Sequence, residues 1–267
     1  MPTVAWISIA PVKGMRMQEL SRVELTRQGA VGDREFFLVD KEAALISATR
    51  LGPLLEIVPD RDRDAGTLSL CFPGDRITSG PVETGAPEPV DFFGLTLNAE
   101  PVLGDFSDAI SSHCGETLRL MARPGNRPGV DRGSIAGATM LGTGSLDRLA
   151  AAAADQGEPG PIDRRRFRMT FGIEGLEPHE EDGWIGEAVE IGGAELVVRD
   201  RVGRCAATTR APDSGEVDLK TLHHIRSYRD GVESEEPLPF GVYASVGRPG
   251  TVSLGDPVVP HGRGARP

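Results

Sequence analysis

With 267 residues, 39% of them hydrophobic and 26% charged, the chain has the composition of an ordinary globular protein and the length for one large domain or two modest ones. A formal charge of −11 excludes general attraction to nucleic acid or to an anionic membrane, so any local cluster of arginines stands out. No apolar run approaches the ~18 residues of a membrane span and no signal-type N-terminus is present, which sets the expectation of a cytoplasmic protein with no membrane partner.

Thirty-four glycines and twenty-one prolines among few helix-like runs predict a turn-rich, mostly β chain with a few helices. Residues 1–122 read as a β-rich unit. Val4 to Ile9 is a strand stopped by Pro11, followed by a turn at Val12-Lys13-Gly14 and a second strand carrying Val23 and Leu25. After Gly32-Asp33-Arg34, the runs Phe36 to Val39 and Ala44 to Ala48 form a hairpin. Leu68, Leu70 and Phe72 alternate with Ser69 and Cys71, which puts Cys71 on the other face of that strand as packing. Asp91 to Leu97, with Gly94 between apolar residues, is expected to end the sheet of this unit. A helix follows over Ser107 to His113, because Ile110, His113 and Cys114 share one face, and this makes Cys114 core rather than ligand.

Arg123 to Ala138, rich in glycine, proline and charge, is the expected crossing into a second unit over 123–262, with 263–267 as a disordered tail. That unit opens with a helix whose apolar face is Leu146, Leu149, Ala150 and Ala153; Thr143 or Ser145 would cap it, and Gly157 stops it. Gly142-Thr143-Gly144 at its start could offer N–H groups to a phosphate, although a plain cap is the commoner use of such a turn. Arg164-Arg165-Arg166-Phe167-Arg168 is the concentrated basic run. Arg168 precedes Met169-Thr170-Phe171, so it is expected to begin a strand to Ile173 and to be held in place, as an arginine must be to give a phosphate two parallel hydrogen bonds. Ala188 to Ile191 and Ala194 to Val198 form a hairpin about Gly192-Gly193, and Gly241 to Val246 and Val252 to Leu254 complete the sheet. Glu180, Glu181 and Asp182, before Trp184, are expected in a surface loop.

There is no Walker loop, no Gly-x-Gly-x-x-Gly entering a helix, no His-Glu-x-x-His and no Gly-x-Ser-x-Gly elbow. The three cysteines are odd in number and far apart, which excludes a disulfide framework and a zinc ribbon. The stretch that carries chemistry is Arg201 to Gly215. Leu196 to Val198 gives a strand, Gly203 breaks it, and Pro212, Asp213 and Gly215 mark a turn beyond. Cys205 is therefore expected where backbone leaves a sheet, between Arg204 and Arg210. Fixed guanidinium charge favours the thiolate, the form that attacks electrophiles and binds soft metals. An inert packing cysteine is the competing reading, and spacing alone favours it.

Arg204-Cys205, followed by Thr208-Thr209, Pro212-Asp213 and Gly215, resembles the cysteine motif of MOSC-domain proteins. Pro11-Val12-Lys13, Gly32-Asp33-Arg34 and Thr49-Arg50 resemble the N-terminal β-barrel that accompanies MOSC domains. Arg166-Phe167-Arg168, Glu181-Asp182-x-Trp184, Ser227-Tyr228-Arg229, Phe240-Gly241-x-Tyr243 and Gly255-Asp256-Pro257 resemble the MOSC domain itself. The likeness is to the family's amidoxime-reducing members and covers nearly the whole chain. It implies an N-terminal β-barrel-like domain followed by a MOSC β-barrel domain, and a molybdenum cofactor (Mo-molybdopterin) with Cys205 as metal ligand and catalytic residue. Lys13, Arg34, Arg168, Arg204 and Tyr243, with Thr143, Ser145 and Thr170, are the cofactor contacts that it implies.

The activity implied by the resemblance is reduction of N-hydroxylated or N-oxide small molecules. The chain has no flavin or iron–sulfur motif, so electrons would come from a separate donor protein: a ferredoxin, a flavoprotein reductase or a b-type cytochrome. Gly14, Gly203 and Thr170 depart from the serine, serine and asparagine usual in those relatives, which removes up to two side-chain hydrogen bonds. Two alternatives keep Cys205: a sulfur carrier or sulfurtransferase with a persulfide on it, or a non-catalytic carrier of the molybdenum cofactor.

Overall fold

The computed structural model describes residues 1–125 and 136–261. The expected crossing at 123–138 therefore lies mostly outside the described residues, as does the tail. The chain is mostly β, with three α-helices among the described residues: α1 (Phe106–Cys114), α2 (Thr143–Ala154) and α3 (Thr221–Arg229).

The largest sheet has eight strands, in the order Val258–Pro260, Ala188–Ile191, Ala194–Gly203, Pro239–Arg248, Ala138–Gly142, Phe171–Glu174, Thr3–Ile9 and Gln18–Leu20. Its strands run antiparallel except for Ala138–Gly142 beside Phe171–Glu174. A parallel pair needs a crossover, and α2 supplies it. The hairpin about Gly192-Gly193 forms as expected, with Ile191 opposite Ala194.

The two halves of the sequence share this sheet. Thr3–Ile9 pairs with Phe171–Glu174, and Arg22–Thr26 pairs with Gly250–Ser253 in a small three-stranded sheet. Apolar residues alternate along Arg22–Thr26, whereas Thr3–Ile9 is buried on both faces from Trp6 onward, and Ile7, Val23 and Leu25 enter the same core as Phe171, Val198 and Val252.

The rest of the N-terminal half builds its own core from Leu38, Leu54, Leu68, Leu70, Phe106, Ile110 and their neighbours. It uses a five-stranded sheet, in the order Glu88–Phe92, Leu95–Pro101, Arg119–Ala122, Phe36–Val39 and Leu45–Ile46, and a three-stranded one of Val58–Asp62, Thr67–Phe72 and Arg76–Pro81. Asp91 to Leu97 does not end the sheet, because Arg119–Ala122 returns after α1 to pair with Phe36–Val39. Arg168 also differs from expectation. It sits at φ 55°, after the 3-10 turn Arg164–Phe167, and the strand begins at Phe171.

Candidate functional site

The strand Ala194–Gly203 ends where Gly203 meets the segment around Glu236. A Cβ at Gly203 would lie 2.2 Å from Glu236 Cβ and 2.9 Å from Pro237 O, and Gly203 N donates to Glu236 Oε2 at 3.0 Å. The serine of the resembled pattern would not fit here. Gly14 has an equivalent reason: its φ is +91°, and a Cβ would press on Ala48 N at 3.2 Å.

Two residues past the strand, Cys205 opens a 3-10 turn over Ala206–Thr209, closed by Thr208 donating to Cys205 O through N (3.1 Å) and Oγ1 (3.0 Å). Its thiol is exposed, which removes the inert-packing reading, while Cys71 and Cys114 are half-buried. Burial, then Glu116 and Glu56, push the Cys114 thiol up to about 11, so it stays protonated at neutral pH. Across from Cys205 lies the N-terminal half, with Thr49 Oγ1 3.5 Å from Cys205 Sγ.

Arginines hold that juxtaposition. Arg210 donates to Gly215 O at 2.7 Å and to Thr49 O at 3.3 Å, tying the loop after Cys205 to the opposite half. Arg16 reaches back from that half to Asp213 O at 2.7 Å. Arg165 grips both Asp213 carboxylate oxygens (2.8 and 2.7 Å), and Arg166 grips both of Asp218 (2.6 Å each). Arg164 pairs with Glu19 at 2.7 Å. Hydrogen bonds from Arg165 hold the Asp213 carboxyl below its usual range. Arg165 and Arg166 therefore fasten the loop after Cys205, and Arg164 ties the run to the strand Gln18–Leu20, so none of the three stands as loose surface charge. Arg165, Arg166, Arg168 and Arg210 line a narrow cleft with Ala48, Leu55, Ala207 and Pro212.

The other expected contacts are placed as follows. Arg34, buried at φ 50°, pairs with Asp33 and donates to Arg168 O at 3.3 Å, so it fixes the backbone of the cleft arginine. Lys13 lies with Nζ 5.1 Å from the Phe93 ring centre. Tyr243 donates to Glu236 Oε2 at 3.4 Å. Thr143 is the first residue of α2 and is half-buried.

Three expectations change. Arg204 is turned inward, with Nε on Phe240 O (2.9 Å), Nη1 on Phe167 O (3.0 Å) and Nη2 on Met169 Sδ (2.9 Å). Burial lowers its pKa to about 10, and it remains charged at neutral pH. Thr170 is spent inside the fold, where its N–H donates to Thr139 Oγ1 at 2.9 Å and Thr139 N–H returns a bond at 3.2 Å. Ser145 is fully buried and donates to Glu181 Oε1 at 2.8 Å.

Glu181, expected in a surface loop, is itself fully buried and accepts from Gly142 N at 3.2 Å. It satisfies the start of α2 with an internal carboxylate, so no phosphate is needed there. Burial raises its pKa despite the bond from Ser145.

Sequence reasoning also missed what Thr49 does. It stands in a resembled motif, yet only folding brings it to a cysteine 156 positions away.

One exposed thiol lies where two β-rich halves meet, and the loop that follows it lines a narrow cleft with four arginines. The family models agree with this division: the MOSC N-terminal beta barrel domain matches residues 1–119 and the MOSC domain matches residues 138–259. The chain belongs to the MOSC-domain proteins that carry an N-terminal MOSC β-barrel domain.

It is 28% identical over 280 residues to mitochondrial amidoxime-reducing component 1 of Mus musculus, covering 96% of this chain and 81% of that protein. The Homo sapiens component 1 is 27% identical over 280 residues, covering 96% and 82%. Mitochondrial amidoxime reducing component 2 of Homo sapiens is 38% identical over 99 residues, covering 34% and 29%. Among the described residues, no helix is long and apolar enough to cross a membrane.

Proposed function

We propose that this protein is a molybdenum-cofactor-dependent reductase of N-hydroxylated or N-oxide compounds that draws electrons from a separate donor protein. The observation that carries the reading is the exposed Cys205 thiol at the junction of the halves, beside the arginine-lined cleft.

The residues suit the group. Thiolate is a soft donor, and a cluster of guanidinium groups suits the phosphate of a pterin. Among the described residues, no three His, Cys, Asp or Glu side chains come together as a metal site, so a metal at Cys205 would bring most of its donors with it. Cys205 would hold the metal; Arg168 and Arg210 would face the phosphate, with Arg34 fixing the Arg168 backbone. When bound, the cofactor supplies a two-electron redox centre.

In the net reaction the N–O bond breaks, and two electrons and two protons convert the N-hydroxyl compound to the amine-type product and water. The chain's own task is to present the thiol and fix the cofactor's charge. Thr49 abuts the sulfur from the opposite half, and the Asp213 and Asp218 pairs keep its loop in place.

The test is molybdenum content and amidoxime reduction in protein from a host that makes the cofactor, with reduced viologen as donor. Cys205→Ala should lose both together. Full activity in that variant defeats the assignment, and a parent with no molybdenum but cyanide-labile sulfur would favour the persulfide reading.

A further inference from the structure

The hairpin Glu88–Phe92 and Leu95–Pro101 turns through Phe93 and Gly94, both at positive φ (55° and 80°). Such a turn normally takes Asn or Asp before Gly, because a bulky L side chain is strained there. Here phenylalanine takes the strained place, and Asp91 Oδ1 fixes the turn by accepting from Gly94 N at 2.6 Å. Phe93 is 64% exposed, so core packing does not explain it. Its ring stands edge-on to Phe92 at 5.4 Å between centres, and Phe92 is set the same way against buried Phe37 at 5.2 Å. The rings form a braced row that ends in solvent. A strained, exposed aromatic on a rigid support is better explained by what it meets than by what it stabilises.

Its position says what it meets. Lys13 Nζ is 5.1 Å from the centre of the Phe93 ring. The next residue, Gly14, packs on the backbone of Ser47 and Ala48, and Thr49, directly after them, touches Cys205 Sγ. The same strip joins the hairpin at its other end, where Asp91 N donates to Ala43 O at 2.8 Å and Ala44 bridges Asp91. The hairpin and the thiol therefore contact the same chain segment, the hairpin at Ala43 and Ala44 and the thiol at Thr49, and Lys13 reaches the hairpin's tip.

We propose that Phe93 is a specificity-determining wall at the entrance to the Cys205 site, a ring face on which the flat aromatic body of an N-hydroxylated substrate stacks. The inference rests on the reductase reading for the reacting group. A flat ring gains a stacking contact on this wall, and a saturated ring of similar bulk does not.

The test uses the molybdenum-loaded full chain, reduced viologen as donor, and two amidoximes that differ only in their body: benzamidoxime and its cyclohexyl counterpart. Phe93→Ala should lower the phenyl-over-cyclohexyl preference in kcat/KM by about 3–10-fold, through KM with kcat held. Phe93→Tyr should keep the preference, and Leu95→Ala, an exposed neighbour on the same hairpin, should leave it unchanged. A preference unaltered in Phe93→Ala overturns the proposal. Calorimetric binding of both compounds to the same proteins reads the preference without turnover. If the parent reduces neither compound, the reductase reading fails while binding still decides the wall. Equal binding of the two by the parent, or of the phenyl compound by parent and Phe93→Ala, overturns it.

Discussion

Replacing Arg204 by methionine separates structural from cofactor roles at the cysteine motif. The residue is 8% exposed, and its guanidinium donates to the carbonyls of Phe240 and Phe167 and lies 5.2 Å from the Phe167 ring centre. Methionine keeps much of the length and apolar contact but leaves both buried carbonyls unpaired, at about 1–3 kcal/mol each. Relief from burying a cation offsets part of that, so the net loss is about 1–5 kcal/mol. In a chain of this size it lowers the melting temperature by roughly 2–20 °C. The assay is thermal unfolding of protein from a host that makes no molybdenum cofactor, so that cofactor binding adds nothing to either variant. Arg204→Lys should fall between, because an ammonium cannot fork to both carbonyls. If cofactor-free Arg204→Met melts with the parent and only the loaded protein loses molybdenum, Arg204 is a cofactor contact and the structural role is refuted.

Gly203→Ser, which restores the resembled pattern, forces a Cβ against Glu236 and Pro237 and should cost about 1–3 kcal/mol by urea midpoint; no loss would mean that the Glu236 segment yields freely. His179 is kept neutral by burial and then by Arg229, its pKa lowered from 6.5 to about 4. The unfolded chain binds the extra proton between those values, so this stability is complete above pH 6.5 and is lost as pH falls toward 4. The slope is at most about 1.4 kcal/mol per pH unit, reduced by the partial exposure of the ring. Unfolding free energies from pH 7 to 4 should fall less steeply in His179→Gln, and parallel curves would contradict the assignment.

Much of the scaffold was legible because local pattern and burial agree. Leu68, Leu70 and Phe72 alternate inward, Gly192-Gly193 turns a hairpin, and Cys205 leaves a strand end as its surroundings suggested. The helix α3 was not legible, because its buried positions include Thr221, His224 and Arg229, which leave no apolar stripe of helical period. His224 belongs there through its bond to Glu158 at 2.9 Å, a partner 66 positions away that no local pattern reveals. The site divided along the same line. The basic run was visible, but which arginines are spent on Glu19, Asp213 and Asp218 depends on pairings across the fold.

That division explains how an acidic protein can keep a cationic cleft. Arg165 and Arg166 each close a two-point grip on a carboxylate in the loop after Cys205, so their charge is neutralised where it fastens the loop. Arg210, in the same cleft, donates instead to the neutral carbonyls of Gly215 and Thr49, bonds that orient the guanidinium without cancelling its charge. Arg34, whose own charge is met by Asp33, spends one donor on the backbone of Arg168. The charge of Arg210 is thus not spent on a carboxylate, while that of Arg165 and Arg166 is compensated along the loop. An anion that bound at this cluster would meet arginines already held in place, so it would lose little ordering entropy.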